Sequence, residues 1–207
     1  MKICEIFSSL NGEGKYTGYP TTFIRLSGCP FSCNYCDTLY AKENGKRMSI
    51  DKIMAKVNKL GNKHICITGG EPLIHNDVLS LVYELLSFSY IVSIETSGLV
   101  EIEEDGYART FNYTMDIKCP SSGVSNRNVY SNLSRLKSYD EVKFVIVDSQ
   151  DLEFSKEVLK KYPTKAQIIY SPVNNDLSVA KLISDNLVNK NIAGRLGLQL
   201  HKILDIK

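Results

Sequence analysis

The stretch R-L-S-G-C-P-F-S-C-N-Y-C-D-T, residues 25–38, carries three of the six cysteines in this chain of 207 residues. Three residues separate Cys29 from Cys33, and two separate Cys33 from Cys36. Thiolates spaced this tightly can grip one compact inorganic centre. A [4Fe–4S] cube is normally held by four cysteines. Held by three, it keeps one iron open to an outside ligand, as a catalytic zinc site keeps one open position. Other readings stay open. Structural zinc wants four ligands, and His64 and His75 stand apart from the cysteines. A disulfide framework wants an even cysteine set in a secreted chain, whereas M-K-I-C-E-I-F-S-S-L lacks the apolar core of a signal peptide. Buried single thiols are common, but three beside Gly28 and Pro30 read as an arrangement.

Upstream of the cysteines, T-T-F-I-R-L at Thr21–Leu26 reads as a core strand that delivers the chain to this loop. An apolar–polar alternation predicts a short strand at Cys4–Phe7, followed by a glycine-rich loop around Glu13. Downstream, Ser49 is placed to cap a helix whose apolar stripe is Ile50, Ile53, Met54, Val57 and Leu60, and Gly61 ends it. His64–Thr68 is a buried strand running into G-G-E-P at Gly69–Pro72, with Pro72 near the start of the next helix. Glycines there also let a ligand approach the backbone. Helices are expected near Asn76–Ser87, Val129–Lys137, Leu152–Lys161 and Ser178–Asn189. Strands are expected at Ile91–Glu95, Asn112–Ile117, Val142–Val147 and Gln167–Tyr170, with Glu101–Thr110 as a polar surface loop.

This alternation argues an α/β fold with a largely parallel sheet in a single domain over residues 1–207. The pattern alone fits an incomplete β/α barrel and a doubly wound sheet equally. In both, ligands sit at the C-terminal ends of strands. The cysteine loop, G-G-E-P, E-T-S-G at Glu95–Gly98, D-I-K-C-P at Asp116–Pro120 and S-P-V-N at Ser171–Asn174 all fall at such ends.

Composition sets the outer bounds. Hydrophobic residues at 43% and charged residues at 23% are ordinary for a soluble globular protein. A net charge of +2 with no basic tract gives no footprint for nucleic acid. No apolar run approaches the roughly 20 residues of a membrane span, so a cytoplasmic location is the default. Cys4, Cys66 and Cys119 stand alone and read as small buried hydrophobes.

The C-x3-C-x2-C loop, with Tyr35 just before its last cysteine, resembles the radical S-adenosylmethionine (SAM) superfamily. That resemblance implies a partial barrel and a [4Fe–4S] cluster on Cys29, Cys33 and Cys36. The open iron would chelate the methionine part of SAM, and cleavage of the sulfonium would give a 5′-deoxyadenosyl radical. A finer resemblance runs through E-I-F-S-S-L-N-G-E-G (5–14), F-I-R-L-S-G-C (23–29), C-D-T (36–38), T-G-G-E-P (68–72), E-T-S-G (95–98), D-I-K-C-P-S-S-G (116–123) and Q-L-H-K (199–202). These segments resemble the 7-carboxy-7-deazaguanine synthase family of queuosine and deazapurine biosynthesis. The reaction implied is the contraction of 6-carboxy-5,6,7,8-tetrahydropterin to 7-carboxy-7-deazaguanine with loss of ammonia.

By the same resemblance Thr38 would ligate Mg²⁺, a hard ion that prefers oxygen, and Arg25 would pair with the substrate carboxylate. Leu10, Asn11, Gly12, Glu13, Thr68 and His201 would hold the pterin. Gly70, Asp116, Ile117, Lys118, Ser171, Pro172, Val173 and Asn174 would line SAM. Partners implied are an electron donor such as flavodoxin or ferredoxin and a second copy in a homodimer. Two positions depart from the family pattern: Asn11 replaces the usual Gln, and Lys207 stands where some members have a substrate-reaching proline. A glycyl-radical activating enzyme, or a non-catalytic metal-binding module, would need the cysteines but not N-G-E-G, C-D-T or the histidine tail.

Overall fold

Strands of this chain alternate apolar with polar side chains, and the alternation decides what each face of the sheet meets. The structure is a computed structural model that describes residues 1–103, 110–190 and 192–207. β1 (Lys2–Leu10) and β2 (Pro20–Leu26) pair antiparallel, and the short β3 (Lys46–Arg47) lies antiparallel on the outer side of β1. From β2 onward each neighbour is parallel: β4 (His64–Gly69), β5 (Ile91–Thr96), β6 (Phe111–Ile117), β7 (Glu141–Ile146), β8 (Gln167–Pro172) and β9 (Arg195–Leu196). The order β3-β1-β2-β4-β5-β6-β7-β8-β9 contains no reversal within the parallel part. A doubly wound sheet needs a reversal, where its helices change faces. Without one, right-handed crossovers put every helix on the same side. The architecture is therefore a partial β/α barrel.

The helices are α1 (Ile50–Leu60), α2 (Val78–Ser87), α3 (Asn132–Arg135), α4 (Ser149–Lys161), α5 (Leu177–Asn189) and α6 (Leu200–Ile203). Ser49 caps α1 by accepting from the Lys52 N–H, and Gly61, at φ 75°, stops it in the left-handed region. Asp148 and Asp176 each cap their helix, α4 and α5, by accepting from two backbone N–H groups. Outward residues such as Ile24, Ile67, Ile94 and Phe144 are fully buried with Ile53, Val57, Leu81 and Leu85 of the covering helices. Each such side chain contributes about 1.5–3 kcal/mol when removed from water. The other face carries Arg25, Thr68, Glu95, Asp116, Lys143 and Ser171, one from each strand of the parallel run β2 to β8. Apolar packing thus builds the scaffold, and the intervening positions furnish a polar interior.

Several sequence expectations shift. The helix expected at Val129–Lys137 shrinks to α3, which ends where the buried Leu136 turns extended (φ −66°, ψ 145°); within it the buried Asn132 side chain accepts from the Ile102 N–H (2.9 Å) and donates to the Val100 carbonyl (2.8 Å). Pro72 opens a separate 3-10 turn, Pro72–Ile74, and α2 begins at Val78 rather than Asn76. The strand expected at Cys4–Phe7 extends to Lys2–Leu10. In the segment expected as a surface loop, Ile102 is buried in the core, and residues 104–109 lie outside the described residues. β3, β9 and α6, of two, two and four residues, are too short to carry a periodic signal.

Candidate active site

The loops at the C-terminal ends of the strands are tied to one another in sequence order around the rim. Gly70 donates its N–H to the Leu26 carbonyl (3.0 Å), and Glu71 donates to the Gly28 carbonyl (2.8 Å). A Cβ on Gly70 would stand 1.9 Å from the Gly28 oxygen, so only glycine lets G-G-E-P and the cysteine loop touch. The Glu71 carboxylate is fully buried and faces the next loop rather than the cavity. It accepts from Leu73 N–H (3.0 Å), Thr96 Oγ1 (2.8 Å), Ser97 N–H (2.8 Å) and Ser97 Oγ. Asn34 donates from its backbone to Ser122 (3.0 Å) and from its amide to Ser121 (3.1 Å), pinning the cysteine loop to D-I-K-C-P-S-S-G.

Inside this rim lies a cavity of about 430 Å³, within the size range of small-molecule sites. Leu10 lines it from the end of β1, and Asn11, Gly12 and Glu13 from the loop that follows. Arg25, Cys29, Cys33, Cys36 and Thr38 line it from β2 and the cysteine loop, and Thr68 and Gly70 from β4 and its turn. Asp116 and Lys118 follow from β6, Ser171, Pro172, Val173 and Asn174 from the end of β8, and His201 from α6. Ile117 is the exception: its side chain points outward into the core.

None of the six cysteines is paired. Cys29 and Cys33 are half-buried, and burial pushes both thiols above their ordinary range. Among the described residues, no three His, Cys, Asp or Glu side chains are gathered as a shell for one metal ion. A cube asks for a different arrangement, one thiolate on each of three separate irons. Three unpaired thiols on one wall of one cavity fit that group. The Thr38 hydroxyl, 3.9 Å from Cys36 Sγ, adds an oxygen donor of the kind Mg²⁺ takes.

Charged groups are paired across the cavity floor. Lys143 projects its ammonium from β7 to within 2.7 Å of Glu13 Oε2 and 3.3 Å of Asp116 Oδ1, and Lys118 sits 2.6 Å from Asp116 Oδ2. Burial disfavours charge on Glu13, yet the Lys143 ammonium and the Gln199 amide outweigh it and hold the carboxyl below its usual range. Burial is likewise outweighed at Asp116, by Lys118 and Lys143. Glu95 goes the other way: burial, and then the charge of Glu13, push it up, while Thr68 Oγ1 donates to it at 2.8 Å.

The segment around α6 closes one wall. Leu200 donates its N–H to the Gly12 carbonyl (2.9 Å), and Gln199 Nε2 donates to Glu13 Oε1 (2.7 Å). A Cβ on Gly12 would lie 1.9 Å from His201 Nδ1. Burial pulls the His201 imidazole below its ordinary range. Asn175 and Gln199 exchange hydrogen bonds at 2.9 and 2.7 Å, and Lys202 pairs with Asp37 at 3.2 Å. The Asn11 side chain accepts from the Glu13 N–H (3.2 Å), so it shapes the loop. At the mouth, Glu5 accepts from Arg25 Nε (2.9 Å) and pairs with Lys207 (2.5 Å). The Arg25 guanidinium lies 5.7 Å from the Phe7 ring and 5.8 Å from that of Tyr40.

Among the wall residues, Lys143 carried no expectation from the sequence, while Glu95 and Gln199 entered only within E-T-S-G and Q-L-H-K, without a role of their own. A signal for Lys143 existed: it is the lone charge inside the apolar run V-K-F-V-I, and such a position in a parallel strand must face either solvent or a site.

Comparisons with known proteins agree with this geometry. The profile of the radical SAM superfamily matches residues 23–121, which hold all three loop cysteines and G-G-E-P. A 7-carboxy-7-deazaguanine synthase from Methanospirillum hungatei is 43% identical over 208 aligned positions, covering 100% of this chain and 86% of the relative. One from Thermoplasma acidophilum is 33% identical, with 99% and 97% covered. The crystal structure of QueE from Escherichia coli superposes with a TM-score of 0.82 at 27% identity, covering 97% of this chain and 94% of that one. Streptococcus suis SuiB, at 10% identity and a TM-score of 0.63, shares the fold. With relatives of this identity matching it from end to end, the chain belongs to the 7-carboxy-7-deazaguanine synthase family of the radical SAM superfamily.

Proposed function

We propose that this protein converts 6-carboxy-5,6,7,8-tetrahydropterin to 7-carboxy-7-deazaguanine with release of ammonia. The observation that carries the reading is the docking of Q-L-H-K onto N-G-E-G, which puts Glu13 and His201 in one cavity with Arg25, Thr38 and the three loop cysteines. Cys29, Cys33 and Cys36 would hold the cluster. Bound together, cluster and SAM supply a 5′-deoxyadenosyl radical, and the protein supplies binding and orientation.

The chain's own residues divide the work by chemistry. Arg25, whose guanidinium lies against Phe7 and Tyr40 with its Nε paired to Glu5, offers its terminal nitrogens to the substrate carboxylate. Thr38 offers its hydroxyl to Mg²⁺, which that carboxylate would share. Glu13, ionised, accepts hydrogen bonds from the guanidine-like edge of the pterin, with Leu10, Asn11, Gly12, Thr68 and His201 around it. Asp116 and Lys118 present opposite charges suited to the amino and carboxylate groups of SAM. Gly70, Ile117 by its backbone, and Ser171–Asn174 complete that side. Unpaired thiols and an oxygen-sensitive cluster call for reducing surroundings, so the cytoplasm is the compartment that suits the reading. A flavodoxin- or ferredoxin-class donor would reduce the cluster, and the family likeness supports a homodimer.

The test is anaerobic reconstitution followed by assay with the carboxytetrahydropterin, SAM, Mg²⁺ and reductant. Deazaguanine product is expected together with SAM regenerated over many turnovers. Formation of 5′-deoxyadenosine without deazaguanine would remove the substrate and leave the superfamily chemistry standing.

A further inference from the structure

We infer that Lys143 is a positioning residue that aims Glu13 at the substrate from the rigid strand β7. The inference rests on the reading of Glu13 as acceptor for the pterin edge. Glu13 lies between Gly12 and Gly14, the latter at φ 70°, on a loop with little to fix a side chain. Its carboxylate is instead held from outside the loop. Lys143 Nζ engages Oε2 at 2.7 Å, and Gln199 Nε2 engages Oε1 at 2.7 Å. A carboxylate has about four acceptor positions. One tether on each oxygen leaves one free position on each, side by side, the pattern that a two-donor edge requires.

The two tethers differ in strength because one is charged and the other neutral. The two carboxylates that share Lys143 also differ. Asp116 keeps Lys118 at 2.6 Å if Lys143 is lost, whereas Glu13 keeps only an amide. With side-chain exposures of 13%, 15% and 16% for Lys143, Glu13 and Asp116, water screens none of these contacts well. Loss of Lys143 therefore falls on the substrate side of the cavity more than on the SAM side.

The test compares wild type, K143M, K143R, E13Q and the E13Q/K143M double variant, all reconstituted anaerobically. Two quantities are read: the equilibrium Kd for the carboxytetrahydropterin by calorimetry, and KM for pterin and SAM in turnover. K143M is expected to weaken pterin binding about tenfold or more, the scale of a charge-assisted hydrogen bond, with a far smaller rise in KM for SAM. K143R, which restores the cation, should recover much of the loss. The double variant should bind pterin no more weakly than E13Q alone, because Lys143 acts through Glu13. If K143M fails to fold with its carboxylates left unbalanced, K143Q, which keeps a donor without the charge, is read the same way. Wild-type pterin affinity in the Lys143 variant, or losses that multiply in the double variant, would overturn the inference. A wild type that neither binds nor converts the pterin would instead bring down the substrate reading, and the inference with it.

Discussion

Replacing Glu71 by Gln exchanges one buried oxygen for an NH₂ group and tests how the rim of the cavity is held. The Glu71 carboxylate receives four hydrogen bonds, from Leu73 N–H, Thr96 Oγ1, Ser97 N–H and Ser97 Oγ. The one carbonyl oxygen of Gln can keep the Leu73 and Thr96 pair. The new NH₂ group then faces Ser97, whose hydroxyl can turn to accept but whose backbone N–H cannot. An orphaned buried donor costs about 1–3 kcal/mol, and the surviving bonds lose their charge assistance. Relief from burying a charge offsets part of this. The net loss is about 2–3 kcal/mol, and at about 2–4 °C per kcal/mol for a chain of this size the melting temperature should fall by about 4–12 °C. Thermal unfolding followed by circular dichroism on anaerobic, cluster-free protein measures it. E71A, which orphans all four donors, should fall further. An E71Q melting temperature equal to that of wild type would refute the claim that this carboxylate fastens G-G-E-P to E-T-S-G.

Other outcomes can be measured in parallel. G12A should raise KM for the pterin, because the three atoms nearest the added methyl all belong to the His201 side chain, at 1.9–3.0 Å; an unchanged KM argues against His201 at the substrate. T38A should weaken the Mg²⁺ dependence of product formation, and an unaltered metal titration would remove Thr38 as a ligand. R25A should raise KM for the pterin about tenfold or more, on the scale of a charged hydrogen bond, with wild-type KM the contrary result. Burial works against Asp116 but Lys118 and Lys143 hold it below its ordinary range, so the fold sheds this proton more readily than the unfolded chain does. Its stabilisation is complete above about pH 4 and is lost as pH falls further, because the unfolded chain then binds more protons. D116N should therefore flatten the acid limb of a stability–pH curve, and a limb as steep as that of wild type would contradict the assignment.

Much of this was legible because backbone requirements leave marks in residue type. G-G at 69–70 and S-G at 97–98 announce loops that press on a neighbour's backbone, and both sit where β strands end. Cysteine spacing announced its chemistry for the same reason: donor number and reach are local properties. What the pattern could not choose was barrel against doubly wound sheet, since strand order is set by crossover direction rather than by composition. It also gave no role to Lys143 and Gln199, whose meaning appears only when Glu13, 130 and 186 residues away, is brought beside them. Asn132 shows the reverse failure. Helical propensity predicted a longer helix there, whereas the chain turns extended at the buried Leu136, and the Asn132 side chain serves residues 100 and 102 instead of solvent.

The wall made by residues 199–202 has a consequence for how the protein comes into being. Glu13 leaves the ribosome 186 residues ahead of Gln199, an interval of roughly 10–40 s at ordinary rates of translation. Throughout that time the growing sheet has a groove open along one flank, and the three loop thiols look onto it without cover. Cluster delivery to a nascent chain would meet that open groove. A finished chamber exists only once synthesis has passed residue 202 and Gln199 has reached Glu13.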